Sequence, residues 1–190
     1  LILSSITLLT PQSGIVGTEV TIEGLGAKDE IAIDFGTQRT ISTTIASQSG
    51  TFSATFIVNT QPGGTTTITA ISYQLTAISF FIILPSITLL SPQSGIVGTE
   101  VTIEGSGANG EVAIDFGTSQ TITTTIASQS GTFSITFIVN TQPGGTTTIS
   151  ILNSQFSILF LIQPHILLLP TKAIVGTEIT VEGYGFSTNT

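Results

Sequence analysis

The side chains with the most obvious chemical potential are carboxylates that recur along the chain. Three acids repeat 81 residues apart, as Glu19, Glu23 and Asp34 and again as Glu100, Glu104 and Asp115. Two carboxyl groups about 5–9 Å apart could hydrolyse a glycoside by acid and base catalysis. Glu19 and Glu23 share one face of a predicted strand, and their spacing along that strand separates them by about 13 Å. That distance excludes a retaining pair and favours a solvated outer face.

Calcium is the other ligand that these acids could bind, because it prefers carboxylate and carbonyl oxygens. The candidate ligands are Asp29, Glu30 and Asp34 in one segment and Glu111 and Asp115 in the next. The second segment has Gly110 where the first has Asp29, and the sequence contains no D-x-D-x-D-G loop. We therefore predict no resident cofactor, with calcium as the alternative.

The composition excludes several other chemistries. The chain has no Cys and a single His, whereas zinc, haem and iron–sulfur sites need cysteines or clustered histidines. Three Lys and Arg stand against 11 Asp and Glu, a formal net charge of -8, so no basic patch can neutralise nucleic-acid phosphates. The longest apolar runs, around Phe80–Leu84 and Ile158–Ile162, are far shorter than the roughly 20 residues of a membrane-spanning helix. We expect no nucleic-acid partner and no membrane span.

A glycine motif and the many hydroxyl side chains also fail to predict catalysis. The segment Gly105–Gly110 fits G-x-G-x-x-G, but a dinucleotide site needs a helix after that loop. The next segment, Glu111–Phe116, has the pattern of a strand instead. The single histidine, His165, follows Pro164 at a repeat junction and is predicted to be a half-exposed linker residue. No nucleophilic triad can be assembled, so we predict that the chain is not an enzyme.

The chain is built from internal repeats. Residues 11–72 align with residues 92–153 at an offset of 81, and 12 of these 62 positions differ. A third copy begins at Pro170, where IVGTEITVEGYGF matches IVGTEVTIEGLG of the first. We predict four segments: the tail of a preceding repeat at 1–5, repeat 1 at 6–86, repeat 2 at 87–164 and the incomplete start of repeat 3 at 165–190. We expect a window cut from a longer array, with flanking segments completed by neighbouring molecules as the alternative.

Alternating apolar residues predict β-strands throughout. Val20 and Ile22, for example, share one face of the run Glu19–Glu23. Turn signals separate seven such runs in each repeat, and Gln61–Gly64 has the Pro-Gly pair of a type II turn. The abundant Thr, Ile, Val and Phe favour strands. The predicted fold class is therefore all-β, with tandem immunoglobulin-like β-sandwich domains of about seven strands each.

The run PxSGxxGTxVTIxGxG, at Pro11–Gly26 and again at Pro92–Gly107, resembles the start of an IPT/TIG domain. The third copy, Pro170–Phe186, keeps the later half of the motif but has Ala173 where the others have glycine. The segment GTFSATFIVNTQPGGTTTITA is similar to the second half of TIG-type repeats in secreted prokaryotic proteins. The resemblance implies an immunoglobulin-like fold and an extracellular or cell-surface module used as a spacer, in adhesion or in surface layers.

The last strand of each repeat differs from the others because it is apolar on both faces. Such a strand at an exposed sheet edge promotes aggregation. We therefore expect its own domain or a neighbouring one to cover both faces. The candidates for self-association are Phe80, Phe81, Ile82, Ile83, Leu84, Leu159, Phe160 and Leu161.

These observations favour a structural function. Near-identical tandem units can repeat one contact along an axis, and such a contact produces a filament when it does not close. The sequence predicts a segment of an extracellular filament, surface stalk or matrix fibre of a prokaryote. Its main partner would be further copies of itself, with other surface or matrix components beside them. The alternative is an adhesin arm or carbohydrate-binding spacer, with its site in loops that differ between repeats, near Asp29/Gly110 and Arg39/Gln120.

Overall fold

The computed structural model describes residues 5–73, 75–152 and 156–186. All elements of regular secondary structure in these ranges are β-strands. This confirms the predicted all-β class with tandem immunoglobulin-like sandwiches. Within the described residues, none forms a helix with the length and apolar character that crossing a bilayer requires.

Residue contacts divide the chain into two compact units. Unit 1 comprises Leu1–Ser86, Ser106–Gly110 and Ala127–Phe133. Unit 2 comprises Ile87–Gly105, Glu111–Ile126 and Ser134–Thr190. Two loop segments of the second repeat therefore cluster with the first repeat.

The strands of the first repeat form two facing sheets. They are β1 (Ser5–Thr10), β2 (Ser13–Gly14), β3 (Glu19–Leu25), β4 (Glu30–Phe35), β5 (Gln38–Ile45), β6 (Phe52–Ile57), β7 (Gly64–Ser72) and β8 (Leu75–Ile83). One sheet has the order β1-β3-β6 and the other the order β2-β8-β7-β4-β5. The pairs are antiparallel except for β2 and β8, which are parallel.

The core lies between these sheets because apolar side chains alternate along the strands. Val20 and Ile22 on β3 are fully buried, as the sequence pattern predicts. At the end of β4, the ring of Phe35 lies 5.1 Å from that of Phe56 and 5.8 Å from that of Phe81, centroid to centroid. These three rings join strands of both sheets and form the centre of the core.

The short strand β2 adds an eighth strand to the seven runs predicted for the repeat. After Thr10 the chain leaves the three-stranded sheet and joins the edge of the other one. There the N–H of Ile82 donates to the carbonyl of Gln12 (3.0 Å), and the N–H of Leu84 donates to that of Gly14 (2.9 Å). A strand of two residues carries no periodic pattern, so sequence alternation could not reveal it.

The turn before β7 differs from the predicted type II geometry. That geometry requires positive φ at the third residue, Gly63. The structure places the positive φ at the next residue, Gly64, where it is 106°. The requirement for glycine at position 63 therefore comes from neighbouring atoms rather than from the backbone conformation of Gly63 itself.

The second repeat has the same arrangement of strands. They are β9 (Ser86–Ser91), β10 (Ser94–Gly95), β11 (Glu100–Ser106), β12 (Glu111–Phe116), β13 (Ser119–Ile126), β14 (Phe133–Ile138), β15 (Gly145–Ile151) and β16 (Ser157–Ile162). Their sheets have the orders β14-β11-β9 and β10-β16-β15-β12-β13. The rings of Phe137 and Phe160 lie 5.1 and 5.7 Å from that of Phe116. Two further strands, β17 (His165–Leu169) and β18 (Thr180–Tyr184), pair antiparallel at the start of the third copy.

Candidate functional site

The carboxylates of the recurring aspartates accept hydrogen bonds from backbone N–H groups rather than facing an open cleft. In the first repeat, Asp34 Oδ1 accepts a hydrogen bond from the N–H of Thr40 (2.8 Å), and Oδ2 lies 3.3 Å from Arg39 Nη1. In the second repeat, Asp115 Oδ1 accepts from the N–H of Thr121 (2.7 Å). Thr40 and Thr121 have positive φ of 50° and 47°, which is unfavourable for a β-branched residue. Each aspartate thus stabilises a strained residue at the start of an edge strand.

The recurring glutamates lie on the outer face of the three-stranded sheet. Glu19 pairs with Ile57 and Glu23 with Ser53 across β3 and β6, and both glutamates are exposed. Glu100 and Glu104 are exposed in the same way on β11. Their positions two pleats apart on a strand match the spacing derived from the sequence.

Four of the five calcium candidates divide into two groups in the structure, and the fifth, Glu111, is exposed at the start of β12. Asp29 and Glu30 line an open cavity of about 610 Å³ together with Thr43, Thr44 and Ile45. Asp34 and Asp115 make the backbone contacts described above. Across residues 5–73, 75–152 and 156–186, no three His, Cys, Asp or Glu side chains come close enough to hold a metal ion.

Replacing Asp34 with alanine is expected to lower the free energy of unfolding of the first repeat by about 1–3 kcal/mol, because the N–H of Thr40 loses a charged acceptor. Denaturant unfolding with residue-resolved NMR measures this loss. The matched control is Asp29→Gly, since Asp29 has φ of 64° and its counterpart is already Gly110. That change should be neutral or slightly stabilising. A rise in wild-type melting temperature on adding calcium, lost in Asp29→Gly, would instead establish a calcium site.

A buried amide that the sequence analysis did not single out joins the loop between β6 and β7 to the turn between β4 and β5. Gln61 Nε2 donates to the carbonyl of Phe35 (3.1 Å) and to Asn59 Oδ1 (2.5 Å), and its Oε1 accepts from the N–H of Thr37 (3.1 Å). Gln142 makes the corresponding three bonds in the second repeat. The signal in the sequence was the unchanged segment NTQPGG in both repeats. We call this arrangement the glutamine clamp.

The single histidine lies at the start of β17, half-buried beside an aromatic ring. The rings of His165 and Tyr184 are 6.1 Å apart at 84°, an edge-to-face contact. Tyr184 donates its hydroxyl to Glu182 Oε2 (2.7 Å). That hydrogen bond, the negative charge of Glu182 and partial burial raise the pKa of Tyr184. The partial exposure predicted for His165 agrees with this placement, but the residue begins a strand rather than lying in a linker.

The self-association candidates separate by strand alternation into buried and exposed groups. Phe81, Ile83 and Phe160 lie in the cores, and Leu84 is half-buried. The side chains of the other four are exposed: Phe80 (62%), Ile82 (47%), Leu159 (61%) and Leu161 (44%). One face of the last strand is thus covered by its own domain, while the other face is open within the described residues.

The four exposed side chains lie beside threonines of the neighbouring strand. On β8, Phe80 pairs with Thr67 and Ile82 with Thr65. On β16, Leu159 pairs with Thr148 and Leu161 with Thr146. We call each of these uncharged surfaces the outer strip of its repeat. The same strip chemistry occurs at the same sheet position in both repeats.

The similarity to known proteins is confined to solved structures of low sequence identity and low TM-score. No family model matches the sequence, and no curated protein matches it. The D0-D1 domain of intimin is 14% identical with a TM-score of 0.30, over 83% of this chain and 97% of that one. Invasin, a bacterial integrin-binding protein, is 17% identical with a TM-score of 0.37, over 85% and 41%. SGBP-B from a complex xyloglucan utilization locus in Bacteroides uniformis is 19% identical with a TM-score of 0.32, over 84% and 49%. The chain therefore spans less than half the length of the last two.

Proposed function

We propose that this chain is a non-catalytic structural segment of tandem IPT/TIG-type immunoglobulin-like repeats outside a prokaryotic cell or at its surface. It would form part of a filament, surface stalk or matrix fibre. The observation that carries this proposal is the outer strip, which presents exposed apolar side chains at the same sheet position in two repeats. A surface that recurs with the repeat suits a lateral contact that recurs with it.

The physical basis is burial of apolar surface without opposing charge. Each repeat has its own core, so the outer strip is not needed for folding and is free to contact a second copy. Burying its aliphatic and aromatic atoms is favourable. The exposed residues of the strip and the threonines beside them are uncharged, so no like charges meet where two strips touch, although the net charge of -8 opposes the approach of whole chains. The array would then grow by side-to-side contacts between equivalent strips.

Sedimentation velocity over a range of concentrations, with negative-stain images of the same samples, tests this proposal. The wild-type chain should associate, and the double variant Ile82→Thr/Leu161→Thr should weaken association at least about tenfold. The control is Ile57→Thr/Ile138→Thr on the other sheet, where the exposed fractions of 56% and 54% are similar. A wild-type chain that stays monomeric at high concentration contradicts the proposal. So does a control that loses association as strongly as the test variant.

A second candidate function, an adhesin or carbohydrate-binding spacer, is favoured by the cavity on repeat 1. Its lining combines two carboxylates, two threonine hydroxyls and Ile45, and includes Asp29, a position where the repeats differ. Hydroxyl and carboxylate groups around an apolar side chain suit a sugar ring. A glycan array probed with the wild-type chain and with Asp29→Gly distinguishes the two functions. Binding that disappears in the variant supports the adhesin function.

A further inference from the structure

A turn of the first repeat packs closely on a loop of the second, and both lie in unit 1. The N–H of Gly63 donates to the carbonyl of Ala108 (3.1 Å). A Cβ atom placed on Gly63 would overlap the carbonyl oxygen of Gly107. The two backbones are therefore in direct contact, with no side chain between them.

Two further glycines complete this contact. A Cβ on Gly107 would lie 2.5 Å from the carbonyl oxygen of Leu84, and one on Gly131 would overlap the carbonyl of Gln61. The N–H of Ala108 donates to the carbonyl of Gly131 (3.0 Å), which ties the two loops of the second repeat together. Four backbone segments thus meet where any side chain would separate them.

The close glycine approach of this contact occurs a second time, within unit 2. A Cβ on Gly144 would overlap the carbonyl oxygen of Gly185, as one on Gly63 would overlap that of Gly107. Gly185 also approaches Ile162, with its Cβ position 3.4 Å from Ile162 Cγ2. Gly144 and Gly185 are the repeat equivalents of Gly63 and Gly107. The close approach of these two glycines therefore recurs with the repeat.

Backbone conformation does not explain the first glycine of each pair. Gly107 and Gly185 have φ of 70°, a left-handed conformation that favours glycine. Gly63 and Gly144 lie outside that region, which their neighbours Gly64 and Gly145 occupy instead. Only the close approach of the following loop requires glycine at positions 63 and 144.

We propose that the Gln-Pro-Gly-Gly turn of each repeat is a docking surface whose partner is the Gly-x-Gly loop of the next copy along the chain. A contact between backbones immobilises few side chains, so it costs little side-chain entropy. The hydrogen bond between the two backbones also fixes the orientation of the turn relative to the loop. The turn and the loop thus couple consecutive repeats, whether the array serves as a filament or as an adhesin.

Amide hydrogen exchange and ¹⁵N relaxation on the full 190-residue chain test this coupling. In Gly63→Ala, the amide at position 63 should exchange about tenfold faster or more, because its acceptor is lost. The rotational correlation time of amides in β3 and β4 should also shorten, since repeat 1 would tumble independently. The matched control is Gly144→Ala, which makes the same change at the second contact and should leave position 63 protected.

Slow exchange of the Val20 and Ile22 amides on β3 is the criterion that repeat 1 remains folded in the variant. If Gly63→Ala unfolds that repeat, Gly131→Ala alters the same contact from the opposite side and should give the same loss at position 63. Rapid wild-type exchange at Gly63, or an unchanged correlation time in a folded Gly63→Ala variant, overturns the proposal. Association between copies, measured by sedimentation, is a separate readout, so the failure of either proposal can be recognised by itself.

Discussion

Phe81→Ala is expected to lower the free energy of unfolding of the first repeat by about 3–5 kcal/mol, while Phe80→Ala costs about 1 kcal/mol or less. The two phenylalanines are adjacent on β8, but Phe81 is fully buried and Phe80 is 62% exposed. Removing the Phe81 ring leaves a cavity beside Phe35, whose ring packs edge-to-face on it at 5.8 Å. Hydrogen bonds from β7 hold the strand, so the cavity cannot collapse fully.

Residue-resolved measurement is essential for this comparison, because a chain of several repeats need not unfold in one step. Hydrogen exchange of β3 and β4 amides reports the first repeat, and exchange of β11 and β12 amides supplies an internal reference. Phe160→Ala should produce the corresponding loss in the second repeat, where Phe160 packs on Phe116. Equal costs for Phe80→Ala and Phe81→Ala would mean that the alternation of β8 is wrong.

Gln61→Ala is expected to cost about 2–3 kcal/mol, although glutamine is not an apolar core residue. Its amide is buried, and its removal leaves the carbonyl of Phe35 and the N–H of Thr37 without their partner. Leaving buried polar groups unpaired costs more than the net value of the hydrogen bonds themselves. The glutamine clamp thus stabilises the turn between β4 and β5 from the loop that precedes β7.

Chemical denaturation of Gln61→Ala beside Gln48→Ala measures the clamp. Gln48 is exposed in a turn of the same repeat, so its replacement should change stability by less than about 0.5 kcal/mol. Gln142→Ala should repeat the larger loss in the second repeat through its bonds to Phe116 and Thr118. A cost for Gln61→Ala as small as that of the control would show that water replaces the clamp.

The sequence contained enough information for the fold class and the repeat. Period-two alternation in runs such as Glu19–Glu23 places Val20 and Ile22 in the core without knowledge of the partner strand. The offset of 81 residues gives the tandem organisation directly. Strand alternation depends only on neighbouring residues, and the repeat is found by comparing the chain with itself. Neither signal requires knowledge of the three-dimensional structure.

The candidate sites were less accessible to sequence reasoning. Asp34 and Asp29 are both acids near one loop, yet one holds a backbone N–H and the other lines a cavity. The hydrogen bond from the N–H of Thr40 to Asp34 spans a turn. The hydrogen bond from Gln61 Nε2 to the carbonyl of Phe35 joins residues 26 positions apart. Neither partner can be read from spacing, because the chain returns to them only after the sheets have formed.

The last strand of each repeat separates what the sequence determines from what the tertiary structure decides. The sequence by itself established that this chain is a strand-forming repeat protein with few charged residues, a net charge of -8 and an apolar final strand in each complete repeat. Which side chains of that strand fill the core, and which form the outer strip, depends on the register between β7 and β8. Likewise, Gly63 is glycine because a second loop approaches its backbone, a long-range steric requirement that its own φ does not reveal. Local pattern determined the elements, while contacts between distant segments decided the function of each side chain.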